Sequence, residues 1–112
     1  MTSIIKGKSH TFTATRYSGA TDGTFVGIYD ESSGTVYFFY SIRMSGDTPT
    51  STALWMIPEG YRPKSAVGYP VIVFNSGGSP IAFNGYVNPN GSVTQTATSG
   101  CRQAFGVGMY KI

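Results

Sequence analysis

Short strand-like runs separated by turn residues dominate this sequence and restrict the folds open to it. Runs rich in β-branched and aromatic residues recur near the ~8–12-residue spacing that is typical of all-β sandwiches. The runs end in turn signals such as Asp22-Gly23, Ser32-Ser33-Gly34, Asn75-Ser76-Gly77-Gly78 and Asn88-Pro89-Asn90-Gly91. No window keeps apolar residues at helical spacing without an interrupting glycine or proline. The pattern predicts an all-β fold with no significant helix.

The runs divide the chain into eight predicted strands in antiparallel succession. A chain of 112 residues with 15 glycines and 12% charged residues suits one β-domain covering residues 1–112. Eight strands of this kind predict an antiparallel, two-sheet sandwich of jelly-roll type. The predicted strands are 9–16, 24–30, 34–44, 53–57, 66–74, 80–88, 91–97 and 102–112.

The distribution of charge argues against nucleic acid as a partner. The formal net charge is +3, and the basic residues are scattered apart from Lys6 with Lys8 and Arg62 with Lys64. A nucleic-acid surface usually concentrates its basic residues in a patch. The first residues contain no apolar run long enough for a signal peptide or a membrane span. We therefore expect neither export by a signal peptide nor insertion into a membrane.

No residue pattern points to catalysis, a metal or a cofactor. Asp30 and Glu31 are adjacent and would point to opposite faces of a strand, whereas a catalytic carboxylate pair must flank one bond. His10 is the single histidine, and no nucleophile motif surrounds any serine. Cys101 is the single cysteine, which excludes an intrachain disulfide and a cysteine zinc cluster. We expect a non-enzymatic protein without a cofactor.

Two predicted strands, "VYFFYSI" at 36–42 and "ALWMI" at 53–57, are largely apolar on both faces. A strand of a two-layer sandwich normally has one face in water. Either a loop covers the second face or that face is a subunit interface. The strand pattern also continues to the chain end in "RQAFGVGMYKI", where glycines on one face would allow another backbone to come close, as at a symmetry axis.

The predicted hairpin "SPIAFNGYVNPNGS" has one polar face. Asn84 and Tyr86 alternate there with the apolar residues Phe83 and Val87. Amide groups can hydrogen-bond sugar hydroxyls, and an aromatic ring can pack on the C–H face of a sugar. This face is therefore either a saccharide-binding surface or an exposed polar surface with nothing bound.

Three motifs in a fixed order resemble one protein family. They are "IPEGYRPKSAVGYPVIV", the hairpin "SPIAFNGYVNPNGSVTQ" and the glycine-rich end "GVGMYKI". Together they resemble the C-terminal head domain of receptor-binding proteins in the tails of phages that infect Gram-positive bacteria, especially lactococcal siphophages. The resemblance extends from Trp55 to Ile112.

The resemblance implies a jelly-roll-like head that assembles as a homotrimer and binds host cell-wall saccharide or a teichoic-acid-like polymer. Such a head lies at the tip of a virion tail, contacts other tail or baseplate proteins and is made in the host cytoplasm. The family's ligand positions match Asn84, Tyr86, Gln95 and Arg102 in this sequence, and three of the four differ from the family in residue type. The implied crevice lies between subunits, on the outward face of the hairpin.

Two further interpretations stay open beside this one. The chain could be a structural knob that only trimerises at a fibre tip, or a small glycan-active enzyme. The corner between Pro58 and Pro63 is interpreted as part of the frame, although Tyr61 and Arg62 could still reach a neighbouring subunit.

Overall fold

The structure, a computed structural model, describes residues 8–112. Within these residues the chain forms nine strands and no helix. The strands are β1 Ser9–Phe12, β2 Thr15–Arg16, β3 Ala20–Asp30, β4 Thr35–Thr48, β5 Trp55–Met56, β6 Val67–Phe74, β7 Pro80–Val87, β8 Ser92–Gln95 and β9 Cys101–Lys111.

All nine strands belong to one antiparallel sheet, in the order β1-β3-β4-β9-β6-β7-β8-β5-β2. The two edge strands, β1 and β2, are separated in sequence only by Thr13 and Ala14. The sheet is strongly curled, and this two-residue link joins its two edges. The prediction of an all-β antiparallel fold without a helix is confirmed for the described residues. The division into two jelly-roll sheets is not, because the strands form one continuous ladder.

Several predicted boundaries are wrong: the strand predicted at 34–44 extends to Thr48, and the one predicted at 53–57 is reduced to Trp55–Met56. Two further errors show how pairing between distant strands overrules local pattern. The predicted strand 9–16 is split because its halves pair at opposite edges of the sheet, β1 with β3 and β2 with β5. The Asp22-Gly23 turn signal lies inside β3, which pairs with β4 over almost its whole length. Gly23 fits there because a Cβ atom would stand 2.8 Å from the Ser41 carbonyl oxygen. The preference of Asp22-Gly23 for a turn is therefore outweighed here by the hydrogen bonds of the long β3–β4 hairpin.

The inner face of the curled sheet encloses an aromatic core. The hydroxyls of Tyr40 and Tyr69 lie 2.6 Å apart, and the Tyr69 hydroxyl donates to the Thr94 carbonyl oxygen at 3.0 Å. Burial raises the pKa of both hydroxyls above the usual tyrosine range, so they remain protonated donors. The buried aromatic residues are Phe25, Phe38, Tyr40, Trp55, Tyr69 and Tyr110.

The glycines of the last strand serve this core and not a second backbone. A Cβ atom at Gly106 would lie 2.5 Å from the Tyr40 ring and 2.7 Å from the Tyr69 ring, and one at Gly108 would lie 2.8 Å from the Cβ of Tyr69. The space beside these glycines is therefore filled by aromatic side chains of the same chain. The interpretation that they mark a crowded symmetry axis is wrong.

The two doubly apolar strands turn out to differ. In the segment 53–57, Leu54, Trp55 and Ile57 are all at most 2% exposed and Met56 is 36% exposed, so the chain itself covers most of both faces of this short segment. In β4, by contrast, Tyr37 and Phe39 are 44% and 55% exposed. The second face of the segment 53–57 is therefore largely covered by the same chain. The second face of β4 is open, so β4 is the strand that could form a subunit interface.

Candidate functional site

The corner between Pro58 and Pro63 packs as part of the frame. The Tyr61 ring stacks on Phe12 with ring centres 4.2 Å apart, and the Tyr61 carbonyl oxygen accepts a hydrogen bond from the Tyr110 hydroxyl. Arg62 Nε donates to the Ile57 carbonyl oxygen at 2.7 Å. Both side chains are therefore used inside the chain, which supports the structural interpretation of this motif.

The four predicted saccharide residues do not come together within one chain. Asn84 is exposed and Tyr86 is 42% exposed, so these two lie on the surface of β7 as expected. Gln95 is only 1% exposed, because at its position β8 turns its side chain towards the core. Its Oε1 accepts a hydrogen bond from the Ala97 backbone N–H. The expectation that Gln95 faces outward beside Tyr86 is therefore wrong.

Arg102 is exposed but lies at the other end of the sheet from Tyr86. Tyr86 pairs with Gly68 at the start of β6, whereas Phe74 at the end of β6 pairs with Gln103, the neighbour of Arg102. Six residues of strand separate these two levels, which amounts to ~20 Å at ~3.3 Å per residue. A single ligand unit on one chain cannot contact both Arg102 and Tyr86.

A cleft of about 300 Å³ surrounds Arg102 at the turn between β6 and β7. Arg43 of β4 stands across the ladder from Gln103 of β9, and Gln103 stands across from Phe74 of β6. These cross-strand pairs bring two guanidinium groups, two side-chain amides and an aromatic ring into one depression. The lining residues are Arg43, Phe74, Asn75, Ser76, Gly78, Arg102 and Gln103.

The turn beside this cleft is held by its own hydrogen bonds. Gly78 N–H donates to the Asn75 carbonyl oxygen at 3.0 Å, and Gly78 adopts a φ of +83°, which glycine permits without strain. Asp47 Oδ1 accepts from the Ser76 backbone N–H at 2.9 Å, which ties the turn to the end of β4. The sequence predicted this turn, and the structure adds that it forms one wall of the cleft.

Arg43 and Asn75 are residues that the sequence interpretation missed. Alternation along β4 places Arg43 on the same face as Phe39 and Ser41, and this signal was available in the sequence. Its proximity to Arg102 was not available, because it depends on β9 lying between β4 and β6.

A large apolar surface adjoins the cleft on the outer face of the sheet. We call it the outer apolar face; it consists of three cross-strand pairs, Tyr37 with Met109, Phe39 with Val107, and Ile72 with Phe105. These six side chains are between 42% and 57% exposed, and four of them, Phe39, Ile72, Phe105 and Val107, line a hollow of about 390 Å³. At half exposure they present on the order of 500 Å² of apolar surface. The largest apolar patch on a typical monomer covers ~300–600 Å² and is often functional, so this face is a candidate interaction surface.

Three side chains of types that can act in catalysis lie in a turn, in the core and on the surface: Asp30, Cys101 and His10. Asp30 accepts hydrogen bonds from the hydroxyls of Ser32 and Ser33 in the β3–β4 turn, and these bonds lower its pKa. Burial raises the pKa of the Cys101 thiol to about 11, which keeps it protonated and unreactive. His10 Nε2 lies 2.7 Å from Glu31 Oε2 on the surface.

Residues 8–112 also contain no group of three His, Cys, Asp or Glu side chains that could hold a metal ion. In the same part of the chain, no helix has the length and apolarity needed to cross a bilayer.

No model of a known protein family matches the chain, and no curated protein matches it either. The curled sheet, the cleft and the outer apolar face are therefore the features of the molecule that bear on its function.

Proposed function

We propose that the protein is a non-enzymatic adhesin module, the head of a phage tail protein, which binds host cell-surface saccharide as a homotrimer. The cleft between Arg43 and Arg102 is the observation that carries the saccharide-binding part of this proposal. Guanidinium and amide groups hydrogen-bond sugar hydroxyls, and the Phe74 ring offers an apolar surface for sugar C–H groups. A cleft of about 300 Å³ has the size of a small ligand pocket.

The outer apolar face supports assembly from identical chains. Its ~500 Å² approaches the ~800 Å² that each partner contributes to a standard protein interface. The cleft adjoins this face on β9, because Gln103 lines the cleft and Phe105, two positions further along the strand, belongs to the face. A second copy seated on the face would therefore border the cleft, as expected for a binding crevice between subunits.

The phage assignment rests on the resemblance of residues 55–112 to the heads of receptor-binding proteins. On this assignment the protein lies at the virion tail and contacts other tail or baseplate proteins, and its fold is related to the jelly roll. We also propose Asn84 and Tyr86, which are exposed, as a second saccharide-binding surface. Within one chain this surface is separate from the cleft.

A glycan array probed with labelled protein tests the saccharide function. We expect the parent protein to bind a subset of bacterial cell-wall glycans, and the double variant Arg43→Ala/Arg102→Ala to lose at least tenfold in apparent affinity. The matched control is Arg16→Ala/Lys64→Ala, which removes the same charge from exposed positions outside the cleft. Unchanged binding by the cleft variant would move the site to Tyr86, and a Tyr86→Ala variant would then lose binding.

The outer apolar face also favours one other function, a structural knob that trimerises without binding saccharide. Light scattering and the array together separate the two. An assembled protein that binds no glycan is a knob and refutes the adhesin proposal. Shortening of a cell-wall polymer on incubation with the protein would instead reveal an enzyme.

A further inference from the structure

We infer that the cleft between Arg43 and Arg102 selects an anionic saccharide unit and holds its carboxylate or phosphate group with both guanidiniums. This inference rests on the proposed saccharide-binding function and names the ligand class of the same site. Three properties of the described residues support it: unpaired positive charge, an excess of hydrogen-bond donors, and a limited volume.

The positive charge in the cleft has no carboxylate partner. Among residues 8–112 one ion pair is present, between His10 and Glu31, at a distance from the cleft in sequence and in the sheet order. Asp47 is the acidic residue next to the turn; its Oδ1 accepts a hydrogen bond from the Ser76 backbone N–H, and among the described residues it forms no ion pair with Arg43 or Arg102. Two guanidiniums that line one small cleft and form no ion pair leave an excess of positive charge beside the single Asp47 carboxylate, and this excess attracts an anion.

The polar groups of the cleft are mostly donors. A guanidinium carries five N–H donors and no acceptor. The Asn75 side-chain oxygen already accepts the Gly77 backbone N–H at 2.9 Å, so the group that Asn75 can offer a ligand is its NH₂. A neutral sugar hydroxyl both donates and accepts, whereas carboxylate and phosphate oxygens only accept. A cleft rich in donors therefore suits an anion better than a neutral sugar.

The shape of the guanidinium group also favours an anion over a neutral sugar. Its planar fork forms two parallel hydrogen bonds with a carboxylate or a phosphate, and such charge-assisted bonds are about twice as strong as neutral ones. The cleft volume of about 300 Å³ admits a single sugar unit with its acidic group, and Phe74 supplies a surface for the ring of that sugar. The remainder of a polymer would leave the cleft towards the outer face of the sheet.

The test follows the four arginine Nε–Hε signals of the full chain by NMR during titration with glucose 6-phosphate, glucuronate, glucose and inorganic phosphate at constant ionic strength. Arg16 and Arg62 are internal controls, since Arg16 lies on β2 and Arg62 Nε is bonded to the Ile57 carbonyl. We expect saturable shifts of Arg43 and Arg102 alone, with at least tenfold tighter binding of one acidic sugar than of glucose. The tighter of the two acidic sugars identifies phosphate or carboxylate as the group bound.

The variant Arg43→Gln/Arg102→Gln should abolish acidic-sugar binding, whereas Arg16→Gln/Lys64→Gln should preserve it, with melting temperatures confirming that both fold. Equal affinity for glucose would refute the inference and leave the saccharide function intact. Inorganic phosphate binding as tightly as glucose 6-phosphate would mean an adventitious ion only. Glycan-array binding that survives in the glutamine variant would place the proposed function elsewhere on the protein and also refute the inference.

Discussion

The inner and outer faces of β4 and β9 carry similar apolar side chains but differ in burial. On the inner face Phe38, Tyr40 and Tyr110 are at most 4% exposed. On the outer face Phe39 and Val107 are 55% and 57% exposed, although each is adjacent in sequence to a core position. Hydrophobicity alone therefore does not decide which face is buried; the direction in which the sheet curls decides it.

The last strand shows the reason most clearly. β9 turns Gly106 and Gly108 inward and its larger residues Phe105, Val107 and Met109 outward. The concave side of a curled sheet has little room, and the aromatic rings of neighbouring strands occupy it. Small residues on β9 make that packing possible. An inference that large apolar residues mark the core would choose the wrong face of this strand.

The sharpest test of this contrast is to place one bulky residue on each face. Gly106→Leu would drive a side chain into the rings of Tyr40 and Tyr69, and we expect it to lower the free energy of unfolding by about 3 kcal/mol or more. Val107→Leu, at the next position on the outer face, should change it by less than about 0.5 kcal/mol. Urea denaturation of both variants, at a protein concentration where light scattering gives a monomer mass, measures the two effects. Equal losses would show that the two faces are equally packed.

A charge on the outer face tests whether identical chains cover it. Val107→Glu places a carboxylate at the centre of the outer apolar face, where burial against a second copy would leave it unpaired. We expect light scattering at micromolar concentration to give a trimer mass for the parent and a monomer mass for the variant. Thr98→Glu adds the same charge in an exposed turn and should stay trimeric. A monomeric parent protein would refute assembly altogether.

The inner face should also respond to alkaline pH. Burial raises the pKa of Cys101 from 9.0 to about 11, so above pH 9 the unfolded chain loses this proton before the folded chain does. The contribution of Cys101 to the free energy of unfolding should therefore fall by about 1.4 kcal/mol per pH unit between these two values. The variant Cys101→Ala should lack this component and retain the later decline from the buried tyrosines. Identical pH profiles of parent and variant in urea denaturation would contradict the burial of the thiol.

The smallest expected effect compares one hydroxyl on each face. Tyr40→Phe removes the donor to the Tyr69 hydroxyl and should cost about 1 kcal/mol of unfolding free energy. Tyr37→Phe removes an exposed hydroxyl on the outer face and should cost nothing measurable in the monomer. Thermal denaturation of the two variants in the monomeric Val107→Glu background provides the comparison. A larger loss for Tyr37→Phe there would contradict the exposure of the outer face within one chain.

Much of the fold follows from local pattern in the sequence. The alternation in "RQAFGVGMYKI" predicted a strand reaching the chain end, and β9 runs from Cys101 to Lys111. The turn signal from Asn75 to Gly78 predicted the bend between β6 and β7, and the hydrogen bond across it is present. The proline corner predicted a structural element, and Arg62 is bonded inside it. Each of these features depends on residues a few positions apart.

Local pattern in the sequence predicted only part of the candidate site. Tyr86 was placed correctly on the surface, whereas Gln95 was placed on the wrong face. Alternation divides the residues of a strand into two sets but does not say which set faces the core, particularly where both sets contain bulky or polar groups. The family resemblance predicted Arg102 as a binding residue but did not predict Arg43.

The sequence by itself determined the class of structure, an antiparallel all-β chain with its turns, because strand alternation and turn chemistry act over a few residues. The tertiary structure decided the rest. The order β4-β9-β6 in the sheet brings Arg43 to Arg102, and the link at Thr13 and Ala14 joins the two edges. The direction of curl then leaves Phe39 and Val107 outside. These outcomes depend on pairing between strands far apart in the chain and on the limited space inside a curled sheet, neither of which a local pattern contains.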